Sequence, residues 1–294
     1  MTEITGSTRI TYPLGAVSGR SKILLARRDG EGRLLVVAEE TPFHPVDHVW
    51  PDQPADRGTV TVDGQTFEVV DVVTGARRLD GGDLFVGREI PAKRGEPGWA
   101  FLVVHVLDAP EADLEGKEAE LKVDEDYRLR LCASHTACHL MSLALNQAAA
   151  GSWKKEVRRD SLGNPNLDKM AIERSTITPE ESVDRYRFGK SLRKDGFDSA
   201  AFLESLDAVT GEIEKIVAGW LASGGDVTMD PGEGRLDSLR IWRCDLGEGK
   251  VAEIPCGGSH LRSLRQLAGV RVLIEKDPEQ PEITVHTVAE LRTS

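Results

Sequence analysis

No apolar run in this 294-residue chain approaches the ~20 residues that a membrane-spanning helix needs, so no bilayer span is predicted. The first residues, MTEITGSTRI, lack a basic segment followed by a hydrophobic core, and no secretory signal is expected. Cysteine is scarce. Four thiols in a chain of this size do not make a disulfide-dense secreted scaffold; they suit a reducing compartment, where a cysteine near histidines serves as a metal ligand rather than half of a bridge. Positive charge is also short, with 37 lysines and arginines against 49 acidic residues and a net charge of -12. That balance argues against broad, non-specific nucleic-acid binding, though not against a partner held by one local basic patch. Internal repeats and low-complexity tracts are absent. What is present is an apolar fraction of 39% with 29% charged residues, enough for a sizeable core in one large domain or two moderate ones. A soluble, cytoplasmic protein is expected.

The first 112 residues read as β-structure. Short apolar stretches (Lys22–Ala26, Arg33–Val37, Thr66–Val70, Phe101–Val104) alternate with Asp29-Gly30, Asp63-Gly64 and Gly81-Gly82, pairs that permit the positive φ of hairpin turns. The alternation from Thr59 through Asp63-Gly64 to Val69 predicts a hairpin, and several short strands at close spacing suggest a small barrel or sandwich. The acidic stretch 111–126 marks a domain boundary, placed between residues 112 and 113. From Tyr127 to about Ala150 the apolar spacing turns helical, with Asp124 and Asp126 as cap and dipole partners at its start. Residues 151–200 are polar and read as an inserted excursion outside the core. A second helix is predicted over 200–222, followed by strands at Leu239–Arg243, Val270–Ile274 and Ile283–Val285. The second domain, 113–294, is expected to be α+β, with helices on a mainly antiparallel sheet.

Two motifs carry metal chemistry. His135-Thr136-Ala137-Cys138-His139 lies within the long helix, and four residues of α-helix turn by about 400°, so the two imidazoles project from one face. Two partly buried histidines bonded to backbone or carboxylates would share that spacing. Cys256-Gly257-Gly258-Ser259-His260 adds a thiolate and an imidazole around a turn that its glycines allow to bend tightly. His135, His139, His260 and Cys256 together make a tetrahedral zinc set; alone, Cys256 would read as a small buried hydrophobe.

These two motifs resemble the HxxxH and CxxxH motifs of the alanyl-tRNA editing family, the AlaX-like proteins, which share an editing domain with alanyl- and threonyl-tRNA synthetases. Ser259 and Leu261 stand where the usual second motif, C-G-G-T-H-V, has threonine and valine. Val270–Lys276 is similar to the strand that follows it, and Thr41–Pro45 with Gln53–Gly58 falls where the family has T-x-F-Y-P…G-G-G-Q-P-x-D-x-G. The resemblance implies an N-terminal small β-barrel of translation-factor type over residues 1–112, and a zinc-binding editing domain over 113–294. It also implies hydrolysis, in trans, of the ester joining serine or glycine to alanine tRNA. Two departures stand out: Trp50-Pro51-Asp52 replaces the glycine triplet before Gln53, and the 151–200 stretch is long and polar. Both bear on amino-acid selectivity and on RNA docking.

Within this reading His260 is the candidate weaker ligand, and Thr136 a candidate to hydrogen-bond a substrate hydroxyl or, alternatively, its own helix. His44 and His48 share the x-x-x spacing, but Pro45 argues against a helix between them. Cys132, one turn before His135, is a competing ligand or core; Cys138 and Cys244 read as packing. Trp153, Lys154, Lys155, Arg158 and Arg159, with Arg185, Arg187, Lys190, Arg193 and Lys194, form the main basic concentration, suited to a tRNA acceptor end or to a solvated surface. No membrane and no DNA partner is expected, and the oligomeric state is open. Two alternatives remain: a zinc hydrolase of another small acyl ester or amide, and a non-catalytic RNA-binding module that zinc merely stabilises.

Overall fold

The computed structural model describes residues 3–109 and 113–292. In chain order its strands and helices are β1 (Arg9–Ile10), β2 (Ser18–Arg28), β3 (Leu34–Ala38), β4 (Glu40–Thr41), β5 (Gly58–Val62), β6 (Gln65–Arg78), β7 (Phe85–Val86), β8 (Trp99–Asp108) and β9 (Glu118–Val123). Then come α1 (Glu125–Ala148), α2 (Leu167–Ala171), β10 (Ile172–Ile177), β11 (Ser182–Arg187), α3 (Lys190–Lys194), α4 (Ser199–Glu204) and α5 (Leu206–Ser223). Last are β12 (Val227–Asp230), β13 (Ile241–Asp245), β14 (Val251–Pro255), β15 (Leu267–Lys276) and β16 (Glu282–Leu291). The fold is α+β, and its two larger sheets pair antiparallel throughout. The chain forms two compact units: Met1–Leu129 with Met229–Ile241 and Pro255–Ser259, and Arg130–Thr228 with Trp242–Ile254 and His260–Ser294. The boundary expected after residue 112 adjoins residues 110–112, which lie outside the described residues.

In the first unit a seven-stranded sheet runs β5-β9-β2-β3-β8-β6-β7, and β5 also pairs with β6, so six strands each have a neighbour on both sides. β3 and β8 are continuous apolar runs because both their faces are covered. Leu34, Val36, Phe101 and Val103 enter one buried cluster, while Leu35, Val37, Leu102 and Val104 enter another. The β5–β6 hairpin turns at Asp63 (φ 51°) and Gly64 (φ 81°), with Val62 paired to Gln65. Positive φ at both turn residues is the geometry that matches strand twist. Asp56 is buried and receives Arg128 Nε at 2.7 Å and the His44 N–H, while Arg128 also donates to the Pro42 carbonyl at 2.8 Å.

α1 begins at the end of the first unit's leading segment and continues in the second unit; it starts two residues before its predicted position, with Tyr127 N–H donating to Asp124 Oδ1 at 3.0 Å. The helix predicted over 200–222 is broken at Ser205 into α4 and α5. α5 buries Val209, Ile213, Val217 and Trp220 and packs against β15, whose Val272 N–H donates to Glu214 Oε1 at 3.0 Å.

The 151–200 stretch departs from expectation. Residues 172–187 form β10 and β11, and the four-stranded sheet runs β10-β11-β16-β15, so part of the supposed excursion lies inside the sheet. Its polarity lies on both faces: Arg185 and Arg187 point outward to Glu173 and Glu282, while Ser182 and Asp184 are buried beside Tyr186. Asp184 accepts from Ser182 Oγ at 3.2 Å and lies 3.5 Å from Cys138 Sγ. Burial pushes its carboxyl up to about 6, with the Asp168 charge adding to the effect and hydrogen bonds opposing it.

Both buried carboxylates are open to measurement. Asp56→Ala strands the Arg128 guanidinium and is expected to cost about 3–5 kcal/mol in urea unfolding; a loss below ~1 kcal/mol contradicts the pairing. For Asp184 the folded state holds its proton more tightly than the unfolded chain does, so the residue's contribution to stability falls as pH rises from about 4 to 6. Asp184→Asn is therefore expected to be more stable than wild type by about 2–3 kcal/mol at pH 8 and equal to it near pH 4, because each tenfold difference in proton affinity is worth about 1.4 kcal/mol. Parallel denaturant curves at the two pH values check this.

Candidate metal centre

The two helical histidines leave α1 one turn apart, and their ring centroids stand 4.8 Å from each other. The His260 ring completes a triangle, 4.2 Å from His135 and 4.8 Å from His139. Thr136 stands behind it: its Oγ1 lies 3.4 Å from His260 Nδ1 and accepts the Leu261 N–H at 3.1 Å. Trp242, fully buried on β13, packs edge-on to His139 at 5.0 Å and walls one side with apolar surface. The ligating atoms of His135, His139, Cys256 and His260 all lie within 4.8 Å of one another.

This donor set suits a zinc ion. Tetrahedral N and S ligands at their usual bond lengths stand about 3.3–3.8 Å apart, a small contraction from what is found. His139 Nε2 is buried, with no hydrogen-bond partner among the described residues, and a buried lone pair left in that state is costly unless something binds it. Burial also pushes the His139 imidazole down to about 3, which keeps it neutral, as a ligand must be. The Cys256 thiol is pushed up to about 12, first by burial and then by the Asp52 charge, against the opposing influence of the Gly257 and Gly258 amides and Arg240. Such a thiol gives up its proton when a cation draws it off. His135 and His260 are buried, whereas His139 and Cys256 are half-buried.

The other sequence candidates are placed elsewhere. Cys132, Cys138 and Cys244 are buried, form no disulfide among the described residues and lie outside the cluster. His44 packs edge-on to Tyr12 and His48 tilts against Phe101; neither joins a group of three or more metal donors among the described residues. Most of the basic concentration is engaged within the chain: Lys154 pairs with Asp198 at 2.7 Å, Lys155 donates to the Lys194 carbonyl at 3.0 Å, and Arg159 donates to the Gly163 carbonyl at 2.6 Å. Arg158 is exposed, and Trp153 packs on Phe197 at 4.9 Å. Trp242 was not foreseen, since an aromatic residue in an apolar strand carries no signal of what it packs against.

Among the described residues, no helix is long and apolar enough to cross a membrane. Protein loaded with zinc is expected to retain one ion per chain after desalting, and His139→Ala to retain almost none. Elemental analysis of both proteins, with circular dichroism to confirm folding, checks this; equal retention would place the metal elsewhere.

No protein-family model matches the chain. Among curated proteins it is 25% identical over 253 residues to the alanyl-tRNA editing protein AlaX-M of Pyrococcus horikoshii, covering 84% of this chain and 85% of that protein. It is 23% identical over 281 residues to the alanine–tRNA ligase of Frankia alni and 29% identical over 238 residues to that of Halorubrum lacusprofundi. Those matches take in 93% and 81% of this chain but only 26% and 21% of the ligases, so the chain spans about a quarter of their length or less. The resemblance carried by the HxxxH and CxxxH motifs thus extends along most of the chain, which is similar to alanyl-tRNA editing proteins.

Proposed function

We propose that this protein is a cytoplasmic, zinc-dependent aminoacyl-tRNA deacylase. It removes serine or glycine wrongly attached to alanine tRNA by hydrolysing the ester to the terminal ribose. The observation that carries the reading is the convergence of His135, His139, Cys256 and His260, with His139 Nε2 buried and without a hydrogen-bond partner among the described residues. The similarity to a protein named for alanyl-tRNA editing, and to alanine–tRNA ligases, supplies the substrate class. The ring of strand pairings in the first unit supports a small β-barrel over residues 1–112, followed by an editing-type domain over 113–294.

Zinc in such a site supplies Lewis-acid polarisation of the ester carbonyl. The chain's own groups do the rest. Thr136 has its oxygen taken by the Leu261 N–H and faces His260 Nδ1, so its part is to fix that imidazole's orientation. His260 is the ligand so steered, and the half-buried His139 and Cys256 mark the side from which an ester arrives. Trp242, buried against His139, excludes water beside that ring. At the periphery, Lys154, Lys155, Arg158 and Arg159 offer a local patch for acceptor-end phosphates on an otherwise acidic protein.

The zinc-loaded protein is expected to deacylate seryl- or glycyl-tRNA(Ala) in preference to alanyl-tRNA(Ala). Cys256→Ala should lower that rate by about 100-fold or more, beyond the usual cost of losing an outer-shell contact. Turnover of small aminoacyl esters alone would overturn the tRNA assignment. A saturated zinc site with no hydrolysis of any ester would make the protein a binding module.

A further inference from the structure

The loop Cys256–His260 carries two of the four donors, yet two of its five residues are glycines, the residues that lose most freedom when fixed. An unrestrained loop of this composition samples arrangements in which Cys256 and His260 face apart. The structure ties it down at successive residues. Cys256 N–H donates to the Arg240 carbonyl at 3.1 Å, and Tyr12 Oη donates to the Gly257 carbonyl at 3.0 Å. Gln53 then grips Ser259 at both of its polar groups: Nε2 donates to Ser259 Oγ at 2.9 Å, and Oε1 accepts the Ser259 N–H at 3.1 Å. Gln53 and Ser259 are each 1% exposed, so water does not compete for either bond.

We infer that Gln53 is a positioning residue for the metal centre. Its side-chain amide presets the loop so that Cys256 and the residue next to Ser259, His260, already face a common point before a cation binds. The inference rests on the zinc reading above. It follows from the entropy of the loop, because conformational freedom removed in advance is not lost again on binding, and affinity rises accordingly. The Ser259 hydroxyl is what lets the amide bind twice. Ser259→Ala keeps the N–H bond but loses the other, and Ser259→Thr keeps both.

Cobalt(II) titration tests this, read at the thiolate-to-metal charge-transfer band and the d–d bands. It is run on wild type, Gln53→Ala, Ser259→Ala and Ser259→Thr, with thermal melts of each protein metal-free and loaded. Gln53→Ala is expected to weaken cobalt binding by about 10- to 100-fold, Ser259→Ala to weaken it less, and Ser259→Thr to bind as wild type does. Loading should also raise the Tm of Gln53→Ala less than that of wild type. Wild-type affinity and spectra in both Gln53→Ala and Ser259→Ala, whatever their melting points, would overturn the inference, since a purely architectural contact shifts the metal-free and loaded melts equally. If Gln53→Ala does not fold, the Ser259 pair decides by itself. A wild-type protein without the thiolate band overturns the zinc reading and this inference together. Cobalt binding that weakens as expected in a protein that deacylates no tRNA supports the inference while removing the deacylase assignment.

Discussion

Three imidazole rings packed against one another, with a thiol in reach, are an unfavourable arrangement unless something positive joins them. One of their nitrogens, His139 Nε2, is buried with no hydrogen-bond partner among the described residues. Burial keeps His139 uncharged, which removes mutual repulsion but leaves the lone pair unsatisfied. A cation resolves both problems at once, by satisfying the nitrogens and converting the thiol into an anion at the same point. The neighbourhood is built around that constraint: Thr136 at the back of His260, Trp242 at the side of His139, and a loop that allows a cysteine and a histidine to turn inward together.

The T-P-F-H-P and Q-P-A-D-R-G stretches brace the first unit. Thr41 Oγ1 bonds His105 Nε2 at 2.9 Å and receives the Phe43 N–H at 3.1 Å. His105 gives its other ring nitrogen to the Val36 carbonyl at 3.1 Å, and burial holds it down at about 4. Asp56 gathers the His44 N–H and the Arg128 guanidinium. These residues look like chemistry in a sequence and act as bracing in the fold. A buried polar group that is fully bonded fixes backbone position more sharply than apolar packing does.

The helical histidine pair was legible because a four-residue spacing has one meaning on a helix, and the Asp63-Gly64 hairpin because few residue pairs tolerate its backbone. β3 and β8 were legible as apolar runs, although not as strands buried on both faces. β10 and β11 were hidden for an opposite reason. Their outward face carries Glu173, Arg185 and Arg187 in ion pairs, and two of the three buried positions of β11, Ser182 and Asp184, are polar. Hydrophobic alternation therefore had little to register. The break at Ser205 left no trace either, since Leu203, Leu206 and Val209 continue the helical spacing across it. Partners distant in sequence, such as Cys138 with Asp184, are set by topology and have no local signature.

The order of the four-stranded sheet has a kinetic corollary. Its outer pairs, β10 with β11 and β15 with β16, are hairpin neighbours that can zip early, but its middle seam joins Ser182 to Thr287 and Arg187 to Glu282. Closing so long a loop is the slow, entropically expensive event. Until that seam shuts, the polar inner face of β11 lacks its neighbouring strand, and two preformed ribbons wait as separate, edge-exposed pieces open to wrong partners.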